Sequence, residues 1–382
     1  MNNTKAGKNI EKRIIMKFDC SKDNLINALS LVSRGVANKT TMPILEGILF
    51  QVYDNQLFLT STNLEISIQT AIPAHTEQDG EVILQSNFIS ELVRKLSGDD
   101  VFFELLDHYQ LKMDCQLSSF TIKGLPTREF PEFPEVIDDY NFVIESSELK
   151  SLIHGTIFAV AVKENIPVLT GLKLEMEDDR ITMIALDGYR LALRRGKLKE
   201  AINEPISIII PGKSMSELDK LLSNVNGDVQ VHLSKTQIFF EMGVTQFTSR
   251  LLEGEFINYK HIIPSEKNTE IVIERRLLLE SAERAALLAR VGKNNLIKME
   301  IGIDQLTLSS NADIGDVKEV IPIEKTGDEL RIAFNSKFVI DALRVLNQDK
   351  ILIDMTTPVG PAVILSDDDS FIYLILPVRV SE

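Results

Sequence analysis

Asp187-Gly188-Tyr189-Arg190 is the most chemically equipped stretch of the chain. An enzyme reading would cast the Asp187 carboxylate as base and the Tyr189 phenol as acid. The same letters also read as a hairpin turn, because Asp-Gly supplies an acceptor and a residue tolerant of positive φ. No second carboxylate, histidine or nucleophile stands at a spacing that would complete a catalytic set. No GxxxxGK-Ser/Thr loop and no GxGxxG after a strand is present, which argues against nucleotide hydrolysis. Five histidines without CxxC or HExxH argue against a zinc enzyme, and no cofactor is expected. Cys20 and Cys115 make no disulfide framework and fit a reducing, cytoplasmic setting. The longest uncharged run is 12 residues, against the roughly 20 that a membrane-spanning helix needs.

The charges point to a second kind of chemistry. The chain carries a net −15, which on its face discourages contact with phosphates. Six segments with helical spacing reverse that sign. With their flanks they hold fifteen basic residues, among them Lys22, Arg34, Arg94, Lys163, Lys213, Lys293 and Lys337, against nine acidic ones. A basic set of helices inside an acidic remainder would attract a polyanion locally and repel it elsewhere.

Those helices belong to a unit that recurs three times. A short strand leading into a helix appears at Phe18, Phe142 and Ile271. A second, capped helix is read at Ser86–Leu96, Lys213–Leu222 and Asn335–Leu346, with apolar stripes Phe88/Leu92/Leu96, Met215/Leu218/Leu222 and Phe338/Ala342/Leu346. Before each lies a strand with a polar end, starting at Leu57, Ile181 and Leu306, and after each a late strand entered through Phe120, Phe247 or Phe371. From Phe120 to Phe247 is 127 residues and from Phe247 to Phe371 is 124, so the period is near 125.

Alternation such as Val229-Gln-Val-His-Leu gives each unit one wet and one buried sheet face. The expected class is therefore α+β: three repeated domains, each with two helices packed on antiparallel sheets of about eight strands. Proline-bearing joints place the domains at 16–140, 141–268 and 269–382, after a basic extension, 1–15, expected to be disordered.

Three phrases stand in register with this repeat: Thr41-Met-Pro-Ile-Leu, Ala185-Leu-Asp-Gly-Tyr-Arg-Leu-Ala and Leu376-Pro-Val-Arg. From Met16 onward the chain resembles the bacterial beta sliding clamp, the beta subunit of DNA polymerase III. The resemblance implies the DNA-clamp fold in a ring-shaped, head-to-tail homodimer around double-stranded DNA, bound without sequence specificity. It also implies a non-catalytic processivity factor whose cleft receives peptides of the replicative polymerase, the clamp loader and other proteins, with no membrane involved. A clamp-derived adaptor, or a second, drug-insensitive clamp copy, is the alternative. An enzyme acting through Asp187–Arg190 is the remote one.

By position, the resemblance puts Leu169, Gly171, Leu186, Gly188, Tyr189, Arg190, Leu191, Ile257, His261, Ile262 and Gly360 in the peptide-binding cleft, with Leu374, Ile375, Leu376, Pro377, Val378 and Arg379 opposite. DNA contacts are assigned to Lys39, Arg94, Lys95, Lys213 and Lys337, and the dimer interface to Phe120, Ile122, Leu287 and Leu288, flanked by Asp313, Asp316 and Glu319. Two positions depart from the family: Ile257 stands where proline is common after Phe256, and His261 where arginine is frequent.

Overall fold

The computed structural model describes residues 16–135, 139–162, 166–291 and 295–379. The basic extension, Lys163 and Lys293 lie outside the described residues. Copy one runs β1 (Met16–Ser21), α1 (Lys22–Val32), β2 (Gly47–Tyr53), β3 (Gln56–Thr62), β4 (Ile66–Pro73), β5 (His75–Gln78), β6 (Gly80–Gln85), α2 (Ser86–Arg94), β7 (Asp100–Leu106), β8 (Gln110–Cys115) and β9 (Ser118–Lys123). Copy two runs β10 (Tyr140–Glu145), α3 (Ser146–His154), β11 (Gly171–Glu177), β12 (Arg180–Leu186), β13 (Arg190–Lys197), β14 (Ile206–Pro211), α4 (Gly212–Leu222), β15 (Asp228–Leu233), β16 (Gln237–Met242) and β17 (Thr245–Arg250). Copy three runs β18 (Thr269–Glu274), α5 (Arg275–Val291), β19 (Leu296–Ile301), β20 (Gln305–Ala312), β21 (Gly315–Gly327), β22 (Leu330–Asn335), α6 (Ser336–Val345), β23 (Lys350–Met355), β24 (Ala362–Leu365) and β25 (Phe371–Ile375). The order is the same each time; copy one breaks at Ala74 the strand that copy three keeps whole as β21.

The chain divides into two compact units, and the division passes through copy two. The first holds residues up to Asn141 with Val229–Arg250. It contains the sheet β5-β1-β7-β8-β9 and the strand run β15-β16-β17-β4-β3-β2-β6. Its core includes Phe18 stacked on Phe103 at 4.7 Å. The second holds Phe142–Asp228 and Leu251 onward, with strand order β14-β11-β12-β13-β25-β24-β23-β18-β21-β20-β19-β22. Every register given between paired strands is antiparallel, for example β12 with β13 and β23 with β24, as one-sided alternation requires.

Two details differ from the sequence reading. In α2 the buried apolar residues are Ile89 and Val93, whereas Phe88 is 50% exposed and Leu92 half-buried; Leu96, just past the helix, is buried as read. The spacing fits both sets within the helix, and tertiary packing chooses. Of the three second helices only α6 has a side-chain cap, Asn335 Oδ1 accepting Lys337 N–H at 3.0 Å. Gln85 and Pro211, before α2 and α4, make no such bond.

The last strand of a copy completes the sheet of the copy before it. β17 pairs with β4, Phe247 opposite Ile68, and β25 pairs with β13, Tyr373 opposite Ala192. The chain that follows then crosses an edge strand in the same way each time. Leu125 exchanges backbone bonds with Ile83 of β6, Leu252 N–H donates to Ile209 O of β14, and Val378 N–H to Ala333 O of β22. Each of these three edges is thereby capped.

Candidate functional site

The Asp187 segment is a tight turn joining β12 to β13. Asp187 Oδ1 accepts the N–H groups of Tyr189 (3.0 Å) and Arg190 (3.1 Å), and Gly188 sits at φ +83°, where a Cβ would be strained. Asp187 Oδ2 accepts Arg190 Nε–H at 2.9 Å. Both carboxylate oxygens are committed to holding the turn and the guanidinium, so the base role weighed for Asp187 does not fit this geometry. Tyr189 stands out at 65% exposure, and its carbonyl accepts Leu376 N–H at 2.8 Å, tying the turn to the C-terminal run.

Strand alternation then sorts the predicted cleft residues. Leu169, Leu186, Leu191 and Leu374 share one apolar cluster with Val168, Leu193, Ile209, Tyr259 and Val363, and half-buried Leu252, Phe256, Ile263, Leu365 and Ile372 pack against it. Ile375 faces the other way, into the copy-three core with Leu278, Phe334 and Ile364. Arg190, opposite Ile375 in the ladder, also projects away from the cluster, toward Phe158 and α6. Gly171 lies where β14 closes in: a Cβ would meet Ile209 at 2.7 Å and Leu252 at 2.8 Å. Gly360 belongs to the loop between β23 and β24, where a Cβ would meet Thr356 Oγ1. Around the cluster Ile257, Ile262 and Leu376 are each 38–39% exposed, His261 and Arg379 are exposed, and Pro377 and Val378 half-buried. The C-terminal run thus buries Phe371 and Tyr373–Ile375 and surfaces at Leu376, as its apolar letters with a terminal proline imply.

Tyr259 and Val363 were not found from the sequence. The Tyr259 hydroxyl donates to Glu175 Oε2 at 2.6 Å, and burial with that bond raises its pKa. Burial alone would raise the Glu175 pKa, but Lys173 at 2.7 Å and Tyr259 outweigh it and the value is lowered. Lys173 also lies over the Phe256 and Tyr259 rings at 5.8 and 5.7 Å, fixing both at the edge of the cluster. The Val363 signal was available: Ala362-Val363-Ile364-Leu365 pairs in register with β25, so Val363 sits opposite Leu374.

All five residues assigned to DNA, Lys39, Arg94, Lys95, Lys213 and Lys337, are exposed. Lys95 pairs with Glu91 at 2.6 Å and Lys337 with Asp341.

Of the residues assigned to the subunit joint, Phe120 and Ile122 lie on β9, an edge strand among the described residues, and Leu287 and Leu288 on α5, which packs beside β21. β9 is the last strand of its sheet and alternates half-buried and exposed residues, unlike Phe247 and Phe371, which are 0% and 1% exposed. Phe120 and Ile122 are half-buried; Phe88, Leu84 and Ile122 line an adjoining pocket of about 280 Å³. In copy three β18 pairs only with residues from Ile323 of β21 onward, so the first half of β21 has β20 on one side alone. Leu287 is 65% exposed and Val320 54%, while Leu288 is half-buried. Glu319 is held by Arg284 at 2.6 Å and by Ser281.

Comparison with known proteins covers nearly the whole described chain. The N-terminal, central and C-terminal domain families of the DNA polymerase III beta subunit match residues 16–134, 143–258 and 260–379. The beta sliding clamp of Bacillus subtilis is 35% identical over 376 residues, covering 95% of this chain and all of that one. The Staphylococcus aureus clamp is 32% identical, covering 96% and 100%. The crystal structure of the Bacillus subtilis clamp superposes with a TM-score of 0.93 at 34% identity, over 96% of this chain and 100% of that one. A Pseudomonas aeruginosa clamp bound to griselimycin gives 0.89 at 27% identity, with the same coverage. Three domain families matched in order, with relatives aligned almost end to end, place this protein in the DNA polymerase III beta subunit family, the beta sliding clamps.

Proposed function

We propose that this chain works in the cytoplasm as a DNA sliding clamp, a head-to-tail homodimer closed around duplex DNA that tethers a polymerase through an apolar peptide trough. Catalysis is left to the tethered enzyme; the clamp replaces repeated encounters with a high local concentration. The observation that carries the reading is the repeated joint: two last strands are paired within the chain, while β9 and the first half of β21 remain open. A second copy would satisfy both edges by the same rule, and two identical joints close a two-fold ring. The hairpins fix the register. Thr62 opposite Ser67 and Asn311 opposite Asp316 make Val317 the counterpart of Ile68. Met242 opposite Thr245 and Cys115 opposite Ser118 make Phe120 the counterpart of Phe247. Phe120 should then oppose Val317 of the second copy, with Leu287 and Leu288 nearby.

The trough is the apolar cluster beneath Leu376, Ile257 and Ile262. It suits an extended apolar peptide whose ends meet a few polar groups, such as His261 and Arg379. Lys39, Arg94, Lys95, Lys213 and Lys337 would supply weak, sequence-independent phosphate attraction.

The test is a pair of cysteines, Ser119→Cys and Lys318→Cys, one position outside the predicted centre of the joint. Oxidation should yield a covalently closed dimer. Oxidised only after loading on a nicked circle, it should be retained until the DNA is linearised. Monomer alone at tens of micromolar, or rapid loss from intact circles, would refute the ring.

A further inference from the structure

Arg190 is one of two arginines that the resemblance places in the trough, yet its side chain leaves the trough and passes behind it. It is 7% exposed. Its Nη1 donates to Asp341 Oδ2 of α6 at 2.8 Å, Nη2 donates to Phe158 O, and its plane lies over the Phe338 ring at 4.3 Å. Burial would depress its pKa; the bond to Asp341, with Tyr373 and Asp187, more than offsets this, and the value is raised. Asp187 sits three residues away on the same turn, so it moves with Arg190 and cannot locate that turn against anything else. Asp341 lies 151 residues away in copy three and can.

We infer that Asp341, with Phe338, is a positioning residue of the peptide trough, acting through Arg190 to hold the Tyr189 rim in place. The inference rests on the peptide-trough reading and deepens it. The path is continuous. α6 fixes the guanidinium, the guanidinium fixes Asp187, and Asp187 Oδ1 fixes the N–H groups of Tyr189 and Arg190. Tyr189 O then receives Leu376 N–H, the point where the C-terminal run reaches the surface. The trough wall on this side is thus set by copy three at both ends, through β25 in front and α6 behind. Asp341 also accepts from Lys337, so its carboxylate stays oriented without Arg190. A buried guanidinium that loses one carboxylate is left under-paired, and the turn it holds loses its reference.

The experiment is calorimetry on the full-length protein with a short Gln-Leu-x-Leu-Phe-type peptide, combined with hydrogen exchange over residues 187–191. Asp341→Asn should weaken the peptide about 5- to 30-fold, within the 1–2 kcal/mol expected for losing a charge-assisted bond, and speed exchange across the turn. Arg190→Ala should weaken it similarly, and the double variant should be no worse than Arg190→Ala alone. Asp341→Glu should recover part of the affinity, and Phe338→Leu, which keeps the bulk but not the ring face, should lose less than Asp341→Asn. Wild-type affinity in a folded Asp341→Asn protein would overturn the assignment. So would a loss that adds in full to that of Arg190→Ala, the mark of general destabilisation. Leu376→Asp separates the two readings: it should abolish binding whether or not Asp341 matters, and if it binds normally the trough itself is misassigned.

Discussion

Copies one and two build the same turn and put it to different use. In copy one Asn63 Oδ1 accepts Glu65 and Ile66 N–H, both at 2.9 Å, as Asp187 does for Tyr189 and Arg190. Leu64 at φ +74° stands where Gly188 stands at +83°. Even the incoming strand ends alike: Arg250 N–H reaches Glu65 O and Leu376 N–H reaches Tyr189 O. What differs is what the turn carries. Thr62 and Ser67 in copy one bond to each other at 2.8 Å; Leu186 and Leu191 replace them and face an apolar cluster. Ile66 is replaced by Arg190, and Asn63 by an aspartate that can hold it. The backbone is a shared scaffold, and a handful of side chains give one copy of it an apolar cluster in place of a hydroxyl pair.

The largest test of this contrast is to give copy two the hydroxyls of copy one. Leu186→Thr with Leu191→Ser should cost at least about tenfold in peptide affinity by calorimetry, since two buried leucines lose apolar volume and gain polar atoms. An unchanged affinity would mean that the site resides elsewhere.

A smaller effect concerns the turn residue itself. Gly188→Leu has space, with no atom within 4 Å of a Cβ, so only left-handed strain remains, about 1–2 kcal/mol. Leu64→Gly should move the other way, raising thermal stability by about 0.5–1 kcal/mol as strain is relieved, part of the gain being lost to chain entropy. If both substitutions destabilise equally, the two turns are not equivalent.

The smallest effect lies at the strand that closes the trough. Hydrogen bonds from Ser366 and Ser370 hold the Asp368 carboxyl down to about 2. Its folded value is below its unfolded one, so its stabilisation is present above about pH 4 and fades as pH falls toward 2. Asp368 is exposed, so solvent screening keeps the contribution below about 0.5 kcal/mol. Asp368→Asn should flatten that limb of the melting-temperature profile and leave neutral pH almost unchanged.

The repeat, the antiparallel class and the burial of the C-terminal run were all legible in the letters, because strand alternation and a 125-residue period survive divergence. Leu169, Leu186, Leu191 and Leu374 were grouped by the resemblance and not by any local pattern, and they share one apolar cluster. What the letters could not give was direction. Arg190 and Ile375 neighbour trough residues in sequence but lie on the opposite sheet face, a consequence of a register known only once β13 and β25 are paired. Phe88 and Ile89 compete for one helical stripe, and packing alone decides. Tyr259 reaches Glu175 across 84 residues, a contact no local pattern announces.

The borrowing of β25 by β13 has a consequence for synthesis. The apolar cluster draws on residues near 169–193 and on Val363 and Leu374, and the latter are made long after the former. A chain that ends anywhere before Phe371 leaves β13 with an open edge, the Tyr189 carbonyl without Leu376 and the apolar cluster without Leu374. Such a product would expose apolar surface beside an unpaired strand. Extension of the polypeptide past Leu376 is thereby a condition for covering the cluster, so a chain stopped short of it is marked by its own architecture.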